Sequence, residues 1–144
     1  MIEKVYGFVI REGEEGLELL VYECPSMPEV GIQVPGGAVQ IHETPVQAVA
    51  RELLEGSGLP LGGWQVAPSF EVEGEYWHCF FTTPEVVLPD AWRCEPIGQE
   101  AVKGLRFEYR WIPLAGEDEL IGDQEGARRT VASLASGSQQ FTNL

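Results

Sequence analysis

The stretch from Gly37 to Leu59, GAVQIHETPVQAVARELLEGSGL, constrains this chain more than any other. Thr44 can cap a helix, and Pro45 suits the first helical position, where no backbone N–H is needed. Val46, Val49, Ala50 and Leu53 recur at helical spacing and predict a core-facing stripe. Gln47, Ala48, Arg51, Glu52 and Glu55 fall away from that stripe. Gly58 is placed to end the helix, and Pro60 keeps it from resuming. Glu52 and Glu55 are three residues apart, so they project from one side of the helix. The chain enters through a glycine-rich turn, Pro35-Gly36-Gly37. Carboxylates grouped on a helix beside a glycine loop suit a hard cation such as magnesium, and magnesium suits phosphate chemistry.

This stretch resembles the signature of the Nudix (MutT-like) hydrolases. Gly37, Glu43, Arg51, Glu52, Leu53, Glu55, Gly58 and Leu59 stand at the signature spacing. The resemblance implies a mixed β-sheet sandwiched between helices, an α/β or α+β fold. It implies that Glu52 and Glu55 hold metal, with the carbonyl of Gly37 facing it, and that Glu43 and Arg51 pair to hold the loop against the helix. Magnesium is the expected cofactor, with manganese as a substitute. The reaction implied is hydrolysis of a nucleoside diphosphate linked to another group. A phosphate group leaving this site would be positioned by metal and by Arg51 or Arg110.

One signature position departs from the pattern: Gly56 stands where a second glutamate is expected. Two readings follow. Either a carboxylate from elsewhere replaces it, with Glu71, Glu73, Glu75, Glu95, Glu100 and Glu108 as candidates, or the helix ends early at Gly56-Ser57-Gly58. In the second case the chain is a weak or silent scaffold used as a nucleotide-binding or regulatory module. Gln40 and His42 also stand where the family commonly has an acid and a glycine.

A base that assists the attacking water must come within reach of it. Glu100, in Glu95-Pro-Ile-Gly-Gln-Glu100, is one candidate, because the segment looks like a loop from which some family members supply a catalytic glutamate. Glu108, in Phe107-Glu-Tyr-Arg-Trp111, is the other, although its neighbours alternate as in a strand. Tyr76, Trp77, His78, Phe80 and Phe81 are read as strand core first and as a base-stacking wall second, since only one alternating set can line a pocket.

Charge narrows the partners. The net charge is -14 with only 9 Lys and Arg, which excludes the basic footprint of a nucleic-acid binder. No apolar run reaches the roughly 18 to 20 residues that span a bilayer, so no membrane partner is expected. Cys24, Cys79 and Cys94 form neither a CxxC pair nor a zinc pattern. With no evident signal peptide, a reduced cytoplasmic setting is the expectation. Family members are often dimers, so a homodimer is compatible with the resemblance.

Elsewhere the pattern predicts a hairpin of Val5–Ile10 and Leu17–Tyr22, a short strand at Ile32–Val34, and a second hairpin of Trp64–Val72 and Glu75–Thr83 around Glu73-Gly74. Pro84 to Gly104 reads as a long irregular loop, Leu105–Ile112 as a strand, and Gly122–Ser136 as a helix with Val131 and Leu134 on one face. One domain over residues 1–136 and a tail over 137–144 are expected.

Overall fold

Alternation along the first strand decides the architecture in the computed structural model, which describes residues 1–98, 104–116 and 120–142, with side chains described to residue 136. Strand β1 (Ile2–Gly13) sends Val5 and Val9 to one face and Phe8 and Ile10 to the other, and all four are fully buried. A strand apolar on both faces must be covered on both. Helix α1 (Pro45–Ser57) covers the first face and α2 (Gln124–Thr142) the second. The expected helix-sheet-helix sandwich is the fold.

The first hairpin forms as expected. β2 (Gly16–Glu23) pairs antiparallel with β1, with Gly13 opposite Gly16. β6 (Glu75–Thr82) lies parallel to β1 on its other side. The strand written as Trp64–Val72 is broken into β4 (Gln65–Val66) and β5 (Phe70–Val72), which both pair with β6. Pro68 lies in the break and has no N–H to donate to a ladder. Glu73 (φ 46°) and Gly74 (φ 86°) form the tight turn between β5 and β6, since two positive φ values match the twist of a hairpin. β8 (Phe107–Pro113) pairs with β2, and β7 (Ala91–Cys94) with β8, giving the order β4-β6-β1-β2-β8-β7.

Several sequence expectations are corrected. Pro35-Gly36-Gly37 is not simply a turn: Gly36–Ala38 is strand β3, antiparallel to β1. Glycine is required at position 36 for close approach, because a β-carbon there would strike the Val5 carbonyl oxygen and the Tyr6 ring. Ile32–Val34 makes only isolated bridges, Gln33 to Tyr22 and Ile32 to Leu120. The segment read as an irregular loop contains β7, held by the stacking of Trp92 on Tyr109 at 5.1 Å. Helix α2 runs on to Thr142, into the expected tail. Its buried line is Ala127, Val131 and Ala135, and Leu134 is exposed.

α1 is capped as its sequence suggests. The Thr44 side chain accepts from Gln47 N while Gln47 answers to Thr44 N, a complete capping box. Gly58 ends the helix in the left-handed region at φ 80°. The buried face differs from the expected stripe: Ala48, Val49, Leu53 and Ser57 are buried, while Val46 is exposed. The line runs in steps of four through 49, 53 and 57. Ser57 tolerates burial because its hydroxyl donates to the Leu53 carbonyl at 2.5 Å. A β-carbon on Gly7 would stand 2.7 Å from Leu53 Cδ2, so glycine lets the helix settle onto β1.

Candidate active site

Arg51 gathers the signature carboxylates. Its Nη2 donates to Glu43 Oε1 at 2.8 Å and to the Ala38 carbonyl at 2.9 Å. Its Nη1 donates to Glu52 Oε1 at 3.0 Å and to Glu55 Oε2 at 3.2 Å. One guanidinium therefore ties the chain after β3 to the helix and brings the two helix carboxylates together. Glu43 also accepts from Gln40 N at 2.8 Å, which closes the loop locally. The Arg51 hydrogen bond holds the Glu43 carboxyl below the usual carboxylate range. In return, the hydrogen bond that Arg51 donates to Glu43 holds the guanidinium more firmly protonated. These side chains are only 11–21% exposed, so water screens them weakly.

Two glycines make room for the two carboxylates. A β-carbon on Gly37 would collide with the Glu52 carboxylate, and one on Gly98 with that of Glu55. Gly98 also has φ 101°, which side chains rarely adopt. The segment after β7 is anchored here, because Ile97 N donates to the Glu55 carbonyl at 2.9 Å. Sequence reading singled out Gly37 but not Gly98. Its only signal was a glycine in a proline-rich loop, and that does not name the helix it meets.

The sheet closes the site with aromatic rings. Tyr109 of β8 is buried at 2% exposure, stacks on Trp92, and lies 5.3 Å from the Tyr22 ring centre. A β-carbon on Gly56 would stand 3.0 Å from the Tyr109 hydroxyl oxygen. Burial, with the nearby charge of Glu52 as a lesser cause, holds this phenol protonated well above its usual range. Trp92 Nε1 donates to the Ser57 carbonyl at 3.0 Å and pins β7 to the helix end. Tyr22, Trp92 and Phe107 pack around Tyr109. The wall considered at positions 76–81 is mostly core: Trp77, Cys79 and Phe81 pack on the α2 side and Phe80 on the α1 side.

Several of the described candidates are held elsewhere. Glu108 points to the face of β8 opposite Tyr109 and pairs with Arg93 at 3.0 Å. Arg110 shares that face and lies 3.6 Å from Glu23. Glu75 pairs with Lys4, and Glu95 approaches Arg106 at 3.8 Å. Glu100 lies outside the described residues. A broad cleft between the β1–β2 hairpin and residues 83–90 is lined by Glu12, Glu14, Glu15, Glu18 and Asp90, and it does not include the Arg51 cluster.

The donor set fits a particular mode of metal binding. Among the described residues no group of three or more His, Cys, Asp or Glu side chains could hold a metal by itself. Glu52 and Glu55 nonetheless converge on a single cationic nitrogen, and Gly37 lies against Glu52. Two carboxylates completed by a carbonyl, waters and substrate phosphates are a common way to hold magnesium.

Comparison with known proteins gives the family and the fold. The NUDIX domain model matches residues 3–134, and the chain belongs to that family. Among solved structures it resembles the NUDIX domain of Shewanella oneidensis NrtR complexed with ADP ribose, at 15% identity and a TM-score of 0.69, over 94% of this chain and 88% of that one. It resembles MutT, from a study of the Aliivibrio salmonicida and Vibrio cholerae proteins, at 22% identity and a TM-score of 0.58, over 79% and 81% of the two chains. A Caenorhabditis elegans Ap4A hydrolase, solved as a binary complex, matches at 13% identity and a TM-score of 0.61, over 95% and 99%. At these identities the likeness is one of fold. No curated protein sequence matches significantly.

Proposed function

We propose that this protein is a magnesium-dependent hydrolase that cleaves a phosphoanhydride in a nucleoside diphosphate linked to another group. The observation that carries this reading is the convergence of Glu52 and Glu55 on Arg51 beside Gly37. Neighbours of the same fold in complex with ADP ribose, or acting on Ap4A, support a nucleotide-derived substrate class.

Glu52, Glu55 and the Gly37 carbonyl would hold the cation. Bound there, magnesium would neutralise phosphate oxygens and lower the pKa of a coordinated water. The chain's own residues do the rest. Arg51 keeps the two carboxylates at one point, and Glu43 keeps Arg51 there. Glu100 is assigned on sequence grounds as the carboxylate that takes a proton from the attacking water. Because the chain is strongly acidic, a free polyphosphate meets a repulsive field, and metal-bound substrate is the form that can enter.

The second reading, a nucleotide-binding module without turnover, draws on Gly56 and on the lack of a three-carboxylate group among the described residues. Phosphate and pyrophosphate release separates the two. Wild type and Glu52→Gln are assayed on a panel of nucleoside diphosphate derivatives with magnesium or manganese. Turnover by wild type, lost by a hundredfold or more in Glu52→Gln, is expected for the hydrolase. Saturable nucleotide binding without turnover on any substrate or metal selects the binding module.

A further inference from the structure

The Tyr109 hydroxyl is the polar group at this site that the reading above leaves unused. Its ring is buried between Trp92 and Tyr22, and the residue as a whole is 2% exposed. Among the described residues the hydroxyl makes no hydrogen bond, and it is not one of the buried side-chain oxygens that lack a partner, so it is reached by solvent. Tyrosine buried to this depth normally satisfies its O–H, since an unmade bond costs free energy. Open to solvent, the group can take water or a ligand as its partner.

Its location says what that partner is. The hydroxyl oxygen stands 3.0 Å from where a β-carbon would project from Gly56, one helical turn beyond Glu52 on the same side of α1. A side chain at position 56 would crowd this oxygen, so glycine there opens a path to it. Glu52, Glu55 and Glu43 are acceptors when ionised and cannot donate to a phosphate oxygen. Arg51 is already shared among all three of them. The Tyr109 O–H is a neutral donor facing Gly56 and makes no hydrogen bond among the described residues.

We propose that the Tyr109 hydroxyl, reached past Gly56, donates a hydrogen bond to a phosphate oxygen of the bound diphosphate. This rests on the diphosphate reading of Glu52 and Glu55. On this account Gly56 and Tyr109 work as a pair: the glycine clears the approach and the phenol uses it. Tyr109 is then a substrate-binding residue of the site.

The test is calorimetric titration of α,β-methylene-ADP, whose bridging carbon resists hydrolysis, into the full chain with excess magnesium, together with thermal unfolding. Tyr109→Phe keeps the ring and removes only the hydroxyl. It should weaken binding about tenfold or more, as expected for a hydrogen bond to a charged group, and leave the free protein's Tm unchanged. Gly56→Ala should weaken binding in the same direction by crowding the hydroxyl, and adding it to Tyr109→Phe should cost no more than the phenylalanine alone. Unchanged affinity in Tyr109→Phe, with Glu52→Gln clearly weakened, overturns the assignment and leaves the functional reading standing. A Tm lowered by several degrees in Tyr109→Phe also overturns it, because the hydroxyl then has a structural partner. Failure of wild type to bind, or binding indifferent to both magnesium and Glu52, overturns the functional reading and this inference with it.

Discussion

Glu43 is the residue on which the geometry of the site depends most, although it is not proposed to touch substrate. It accepts three hydrogen bonds from the Arg51 fork and one from Gln40 N. Its carboxyl is held below the ordinary range, first by the Arg51 hydrogen bond. A carboxylate whose pKa is lower folded than unfolded adds stability that is fully present above the unfolded value, near 4.5. That contribution is lost as pH falls through the folded value. Glu43→Gln should therefore be less stable than wild type at pH 7, by about 1–3 kcal/mol. The difference should shrink as pH falls below the ordinary carboxylate range, and urea unfolding at a series of pH values would measure it. A difference independent of pH would mean that the charge of Glu43 is not what stabilises the loop. His42, at φ 69°, shows a second cost carried by this loop, since a side chain stands in a conformation that favours glycine.

At the scale of elements, the site is a junction of β3, α1 and the chain that follows β7. α1 was legible because its signals are local: a capping Thr44, Pro45, a periodic stripe and a terminal Gly58. Its orientation was less so. The sequence alone favoured Val46 for the core, whereas Ala48 and Ser57 are buried there, because which residues face inward depends on how the helix lies across β1. β3 and β7 were hidden for a related reason. Three residues of glycine and alanine, or four between prolines, carry no periodic signal, and their pairing is decided by a distant partner strand. The contact of β3 with α1 gives a direct prediction. In Gly37→Ala the new β-carbon meets the Glu52 carboxylate and displaces it. We expect a stability loss of about 1–3 kcal/mol, as for other overpacked sites. Metal-dependent activity should fall by tenfold or more. Thermal unfolding and turnover measured on the same preparation would report both, and full activity would mean that Glu52 need not lie against the glycine.

For the molecule as a whole, a mixed sheet covered on both faces was legible from alternating strands and one strong helix, and the family resemblance carried the same expectation. The site was legible in part. Glu43, Arg51, Glu52, Glu55 and Gly37 come together around one guanidinium. Glu108 does not, because the strand period of two sends it to the opposite face from Tyr109. Gly98 and Tyr109 were missed because their roles exist only where separate segments meet. The central claim is that the carboxylates of Glu52 and Glu55 form a divalent-metal site. Manganese binding followed by electron paramagnetic resonance tests it most directly, on wild type, Glu52→Gln and Glu55→Gln, with and without α,β-methylene-ADP. Wild type should bind saturably, more tightly with the diphosphate, and either substitution should weaken binding at least tenfold while the circular dichroism stays unchanged. Equal manganese affinity in all three folded proteins would contradict it.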